Sequence, residues 1–576
     1  MVHVPPSPEA VGLPQLPLDV VVEKISTLPF ASSMRAMSIL AAELHHHAAD
    51  PVRQVQLAGF VYRDPIASAV LRFMQGGPGR FAFDPRHVSS MQRLLVLHAA
   101  DEDEPRDMTP TEIAILGEAL FSVGDALPGG EPVFDGDPST PEQWADWARY
   151  TTLLSAWHHM PDLTEALAKA HSWYVDAHKD PMLATHPARC DIDQWLVDDL
   201  GLTLGEQFAG GLACLACTQA FDPSAGLEQR ARAIPVGFLR NGALGSKEAA
   251  VRASISATRD ELVSMMTAAG NDAARVAWDH TAFEQRPFLR RSDGAMVLIS
   301  PTALSGWMTR GMHHRALQAA ERRPHATKPG RSMAEGFLAY SGALAEHAFR
   351  RLVARSHETQ VRAGLLRIHD EQAYKIGKST YRSPDLGLDF GPDLVLIELY
   401  SGRISREART SLDSALLRQQ LDKATTVKLA QLAKRIRDLL AGRPVFAGLD
   451  LRAVERVWPL LVLAGDAVLQ TPALWTYLQD AAPDAFIEDP RVQAPQIFGL
   501  DDFEPLLSLI QEEGAVMPQL LQTIAHSPFA LVPARNWVHA TFGGVTRRPF
   551  YTEEQSTSAL KLAIETIYPG ASSRIT

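Results

Sequence analysis

Between Ser383 and Ser401 the chain changes its pattern twice. Leu386, Leu388 and Phe390 alternate with Gly387 and Asp389. Leu394 to Leu399 is then an apolar run interrupted only by Glu398, and Gly391-Pro392 separates the two stretches. Alternation, turn residues and a second apolar run predict a β-hairpin. With Gly391-Pro392 as the loop, Phe390 faces Asp393, and on that register Asp385 lies opposite Glu398. Directly opposed Cβ atoms stand roughly 4.5–5.5 Å apart. Two carboxylates that close repel and call for a cation or a proton.

Elsewhere the spacing of apolar positions is mostly helical. Helices are predicted over 32–47, 91–99, 110–123, 144–157, 163–178 and 191–219. Pro/Gly-rich or polar breaks fall at 127–142 and 321–331. After the second break the order changes. A helix over 333–355 precedes a strand over 361–374, a loop, the hairpin, a long helix over 411–441 and a buried strand over 458–464. A helix at 471–480, a strand at 493–500 and a helix at 501–513 follow, the last capped by Asp501 or Asp502. One more helix is predicted at 553–568. The fold class is therefore α+β and multidomain. Its expected parts are an extended Pro-rich arm (1–20), a helical region (21–126), a linker (127–142) and a second helical region (143–330). An α/β module (331–513) and a C-terminal helical extension (514–576) complete it.

Two helical positions stand out. On the helix over 333–355, Phe349 centres an apolar stripe with Leu338, Gly342, Ala345, Leu352 and Val353, and Glu346 lies on its edge. On the long helix, Leu421, Thr425, Leu429, Leu432, Ile436 and Leu439 form the buried stripe. Lys428 falls inside it, whereas Lys423, Lys434 and Arg437 point away. A lysine there either snorkels to water or meets a buried acid.

Charge adds a direction. The chain of 576 residues has a net charge of −12, yet residues 331–445 hold 19 Lys/Arg against 13 Asp/Glu. A basic segment inside an acidic protein points to an anionic partner there. Three cysteines make no disulfide framework, which suggests a reducing cytoplasm. No apolar run reaches the ~18–20 residues that span a bilayer, and the first residues lack the order of a signal peptide, so no membrane partner is expected.

Together Pro384-Asp385, Glu398 on the next strand, Glu346 on the preceding helix and the αβββαβ order resemble the PD-(D/E)XK nuclease superfamily. The resemblance covers about 333–513. It implies a restriction-endonuclease-like core and metal-assisted hydrolysis of DNA or RNA phosphodiesters, with DNA favoured and defence or repair as the setting. It further implies Mg²⁺ or Mn²⁺ held by Asp385, Glu398 and the Leu399 carbonyl, with Glu346 binding a second ion or a metal-bound water, and Ser401, Arg403 and Arg406 as phosphate contacts. The motif's lysine falls on Tyr400, which is neutral near pH 7. Either Lys428 supplies that charge, making Glu346, Asp385, Glu398 and Lys428 the catalytic set, or the module is an inactive scaffold that binds nucleic acid or protein. A third reading is a helical adaptor whose C-terminal module only mediates assembly; separately, self-association or a protein partner is expected through the helical N-terminal region.

Other constellations carry less. Cys214 and Cys217 have CxxC spacing within an apolar helix, but no second pair completes a zinc site. The His45-His46-His47, His158-His159 and His313-His314 runs point neighbouring rings in different directions. Gly76-Gly77-Pro78-Gly79 lacks the Lys of a phosphate loop.

Overall fold

The computed structural model describes residues 6–47, 50–77, 80–126, 140, 143, 163–220, 222, 224–267, 279–323, 332–403, 405, 414–465, 472–543 and 547–568. The linker (apart from residue 140), the helix predicted at 144–157, and Arg406 lie outside them. The fold is mixed α/β with helices predominating.

Five strands form the larger sheet: β1 (Arg367–Asp370), β2 (Leu386–Asp389), β3 (Asp393–Tyr400), β4 (Arg456–Leu463) and β5 (Gln496–Gly499). Their spatial order is β5-β4-β3-β2-β1. β1, β2 and β3 pair antiparallel, while β3, β4 and β5 run parallel. Parallel neighbours need crossover helices. Here α2 (Ser414–Ala424) and α3 (Thr426–Leu440) link β3 to β4, and α4 (Pro472–Ala481) links β4 to β5. Helix α1 (Met333–Ser356) precedes the sheet and α5 (Leu500–Glu513) follows it. β3 is buried along nearly its whole length, as its continuous apolar run requires for a central strand.

The two faces have different partners. Val395, Ile397 and Leu399 share a core with Leu344, Ala345, Phe349 and Leu352 of α1. Leu394 and Leu396 pack instead with Leu432, Ile436 and Leu439 of α3. α1 begins at a capping box between Ser332 and Glu335.

Several expectations are corrected. The long helix breaks at Thr425, whose hydroxyl donates to the Leu421 carbonyl at 2.7 Å. The helix over 191–219 is two, Ile192–Leu200 and Leu204–Thr218. Gly201 adopts a left-handed conformation at the first helix's end, and Thr203 and Glu206 cap the second. The helix expected to 178 gives way at Ser172 to a π-helical turn ending at Ala177. Within 361–374, residues Glu358–Arg362 are helical and the strand is only Arg367–Asp370. The loop expected after that strand is a separate two-stranded ribbon, Ala373–Ile376 with Ser379–Arg382. Neither Asp501 nor Asp502 caps α5. Gly499 stands at that position, and Asp502 is buried against Arg535 at 2.5 Å. Leu338 is exposed, not in the stripe. The expected arm contains a helical turn, Glu9–Val11, and helix Leu18–Ser26 starts within it.

The helical half also contains a small sheet, Ser256–Ala257, Phe288–Arg290 and Met296–Leu298. One core gathers residues from Val21 to Val123 with Ala257 to Ala303. A second runs from Ala166 through α1 and the sheet to Ala563. The last helix, Phe550–Ile567, packs back on Leu163–His171 and Leu204–Thr218. Gln555 bonds His171 there at 2.7 Å. Among the described residues no single helix is long and apolar enough to cross a membrane. Only Ile192–Leu200 and Leu204–Thr218 together reach that length, and they bend by 61°.

Candidate active site

The hairpin register is the one predicted. Leu386 faces Ile397 and Leu388 faces Val395, and the Phe390 N–H donates to the Asp393 carbonyl at 2.9 Å. Gly391, at φ +84°, makes that turn possible. Continued beyond Leu386, the register sets Asp385 across from Glu398 and Pro384 across from Leu399. Proline has no N–H to offer a ladder. The Leu399 N–H therefore turns to the Asp385 carboxylate, donating to Oδ2 at 2.7 Å. In an antiparallel ladder the N–H and C=O of a residue address the same neighbour. The Leu399 carbonyl thus faces the Asp385 edge, where the next residue in register cannot donate to it.

Three further elements converge on this edge. Lys428 of α3 brings Nζ to 2.7 Å from Glu398 Oε1. Its side chain keeps 25% exposure, so it does not snorkel away from the acids. Glu346 of α1 lies close enough to Asp385 for their charges to repel. Glu371, between β1 and the ribbon, is felt by both Asp385 and Glu346. Arg350, one turn beyond Glu346, reaches Glu371 at 3.7 Å, and its Nε is buried without a hydrogen-bond partner.

The electrostatics follow from burial and crowding. Burial first, then Asp385, pushes Glu346 up to about 7. Burial first, then Asp385, pushes Glu398 up to about 7 as well, against the opposing pull of Lys428. Burial raises Asp385, partly offset by the Leu399 N–H and Lys428. For Lys428, burial disfavours the ammonium, but Glu398, Asp385 and Glu346 outweigh it and raise its pKa. The site is thus short of positive charge even with its lysine in place.

The buried Glu398 and half-buried Asp385 carboxylates, both with raised pKa, and a carbonyl lacking a ladder donor form an all-oxygen set suited to Mg²⁺ or Mn²⁺ with waters completing its shell. Among the described residues no group of three or more His, Cys, Asp or Glu is gathered tightly enough to hold a metal by itself. The fit is that of a two-carboxylate site.

The expected phosphate contacts divide. Ser401 lies against α1, its hydroxyl 3.1 Å from where a Cβ on Gly342 would stand. Arg403 turns into the helical half, its guanidinium carbon 5.8 Å from the Trp173 ring centre. Tyr400 contributes to the apolar cluster around Leu421 and Leu463. Both CxxC thiols are free, Cys214 buried and Cys217 exposed, and Cys190 is also free and buried. His313 is buried, its Nδ1 3.2 Å from the Tyr174 hydroxyl and 3.3 Å from that of Ser341. Sequence reasoning missed Glu371 and Arg350. The only available signal was the spacing of Glu346 and Arg350, four residues apart on one helix, which is common on exposed helices. No protein-family model, curated protein or solved structure matches this chain.

Proposed function

We propose that residues 333–513 form a PD-(D/E)XK-type, divalent-metal-dependent nuclease that hydrolyses phosphodiester bonds, with DNA the favoured substrate. The carrying observation is Lys428 Nζ at 2.7 Å from Glu398, next to Asp385. This lysine arrives from a helix, and it supports the view that α3 replaces the charge absent at Tyr400. The order α1, β1, β2, β3, α2–α3, β4, with parallel β3 and β4, supports the same core.

Asp385, Glu398 and the Leu399 carbonyl would hold Mg²⁺ or Mn²⁺, which supplies charge neutralisation at the phosphate and a more acidic water. Lys428 orients the attacking water and stabilises negative charge as it grows on the phosphoryl oxygens. Glu346, with a pKa of about 7, can take or return a proton near neutral pH.

The test is cleavage of linear and plasmid duplex DNA, single-stranded DNA and RNA with Mg²⁺, Mn²⁺ or a chelator. Metal-dependent cleavage by the wild type, and none by Asp385→Ala or Glu398→Ala, is expected. Equal cleavage by the variants rules out this site. One observation favours a second reading, an inert nuclease-like scaffold: Glu398 already spends an oxygen on Lys428, and among the described residues no three acids stand close enough together to hold an ion by themselves. That scaffold binds nucleic acid or a protein and cleaves nothing.

A further inference from the structure

The ribbon Ala373–Ile376/Ser379–Arg382 stands outside the main sheet and rises directly from the candidate site. At its base, Ser383 N–H donates to the Gln372 carbonyl at 2.9 Å, and Gln372 N–H to the Ser383 hydroxyl at 2.9 Å. Glu371 precedes that clasp and Asp385 follows it two residues on. The segment reads Ala-Tyr-Lys-Ile-Gly-Lys-Ser-Thr-Tyr-Arg, with three cations and no acid, in a chain of net charge −12.

Its two faces are chemically distinct. Tyr374 and Tyr381 pair across the inner face. The Tyr374 hydroxyl donates to Asp438 of α3 at 2.7 Å, and Lys434 of α3 lies 4.7 Å from the Tyr381 ring centre. The ribbon is thereby fixed to the helix that carries Lys428. The outer face presents Lys375 beside Thr380, and Arg382, all exposed, with Lys378 exposed at the Gly377 turn. Lys375 and Lys378 enter no ion pair among the described residues. Arg382 meets Glu371 at 3.2 Å yet keeps 74% exposure.

We infer that this ribbon is a duplex-DNA-gripping arm whose outer cations, Lys375, Lys378 and Arg382, engage the phosphates of double-stranded DNA beside the site. The inference rests on the nuclease reading for its substrate but not for its geometry. Four residues of strand reach about 13 Å at ~3.3 Å each. A two-stranded ribbon fits the major groove of B-form DNA, about 12 Å wide, whereas the deep, narrow major groove of A-form RNA does not admit side chains.

The test is equilibrium binding of labelled duplex DNA, single-stranded DNA and duplex RNA to the full chain across a salt series, in chelator so that nothing is cut. The variants are Lys375→Gln/Lys378→Gln/Arg382→Gln together, Lys378→Gln alone, and Lys423→Gln as an exposed control on α2. Losing three phosphate contacts lowers the salt slope for duplex DNA by about 2.7, removing about 40-fold of the weakening between 50 and 200 mM salt. Lys378→Gln removes about 0.9, and the control leaves the slope unchanged. Unchanged slopes in both ribbon variants, equal preference for duplex RNA, or no duplex binding by the wild type overturns the arm. Duplex binding through the ribbon without any metal-dependent cleavage leaves the arm standing and removes the nuclease.

Discussion

Glu346→Gln should make the protein more stable at pH 8 and leave it unchanged at pH 4. The pKa of Glu346 rises from 4.5 to about 7 on folding, by burial and by the Asp385 charge. An acid with a raised folded-state pKa takes up a proton as the chain folds. Stability is therefore full below about pH 4.5, falls as pH climbs towards about 7, and is level above that. At about 1.4 kcal/mol per pH unit, the ionised Glu346 costs about 3 kcal/mol at pH 8. Its half-buried position lets water screen part of this, leaving about 2 kcal/mol. Glutamine keeps the shape and does not ionise. Chemical unfolding in chelator at pH 4, 6 and 8, followed by tryptophan fluorescence, reads the difference. The expected gap between variant and wild type opens from near zero at pH 4 to about 2 kcal/mol at pH 8 in the variant's favour. A variant equal to or weaker than wild type at pH 8 refutes the raised pKa of Glu346.

Lys428→Met should abolish metal-dependent cleavage, and adding Tyr400→Lys should restore part of it, because position 400 lies two residues along β3 from Glu398, on the same face. Cleavage assays of the single and double variants read this. A fully active Lys428→Met removes the lysine from the chemistry. Mg²⁺ at a hundred times its dissociation constant should stabilise the wild type by about 2.7 kcal/mol, read as a shift in unfolding midpoint. That shift should vanish in Asp385→Asn, and an equal shift in the variant places the ion elsewhere.

The hairpin was legible because its two periods and its turn residues agree on one register. Glu398 was conspicuous because a charge inside an otherwise apolar central strand has few explanations. Lys428 was legible from helical phase alone, and the phase survived the break at Thr425 since all six stripe residues are buried. The ribbon was not legible. Tyr374, Ile376 and Tyr381 are too few for a strand signal, and their burial against α3 is a tertiary fact. Glu371 and Arg350 were hidden for a similar reason, since each looks like an ordinary surface charge until α1 and the β1 end are brought together. The apolar core crosses the division expected at 331, joining Trp307 and Met312 to Phe337 and Leu344.

That shared core bears on how the site is held. α1 presents Leu344, Ala345, Phe349 and Leu352 to the sheet, and the helical half closes on the same helix. His313 bonds Ser341 one turn before Ala345, and the Tyr340 hydroxyl meets His178 at 2.9 Å. Beyond β3 the chain passes Gly342 at Ser401 and lies beside Trp173 at Arg403. Gly402 and Gly465, just past the ends of β3 and β4, approach so closely that a Cβ on Gly465 would collide with the Gly402 carbonyl. α1 is thus fixed along both sides, and the position of Glu346 depends on residues far outside the sheet. The helical half is better understood as the wall that sets Glu346 against Asp385 than as an appendage to a self-sufficient module.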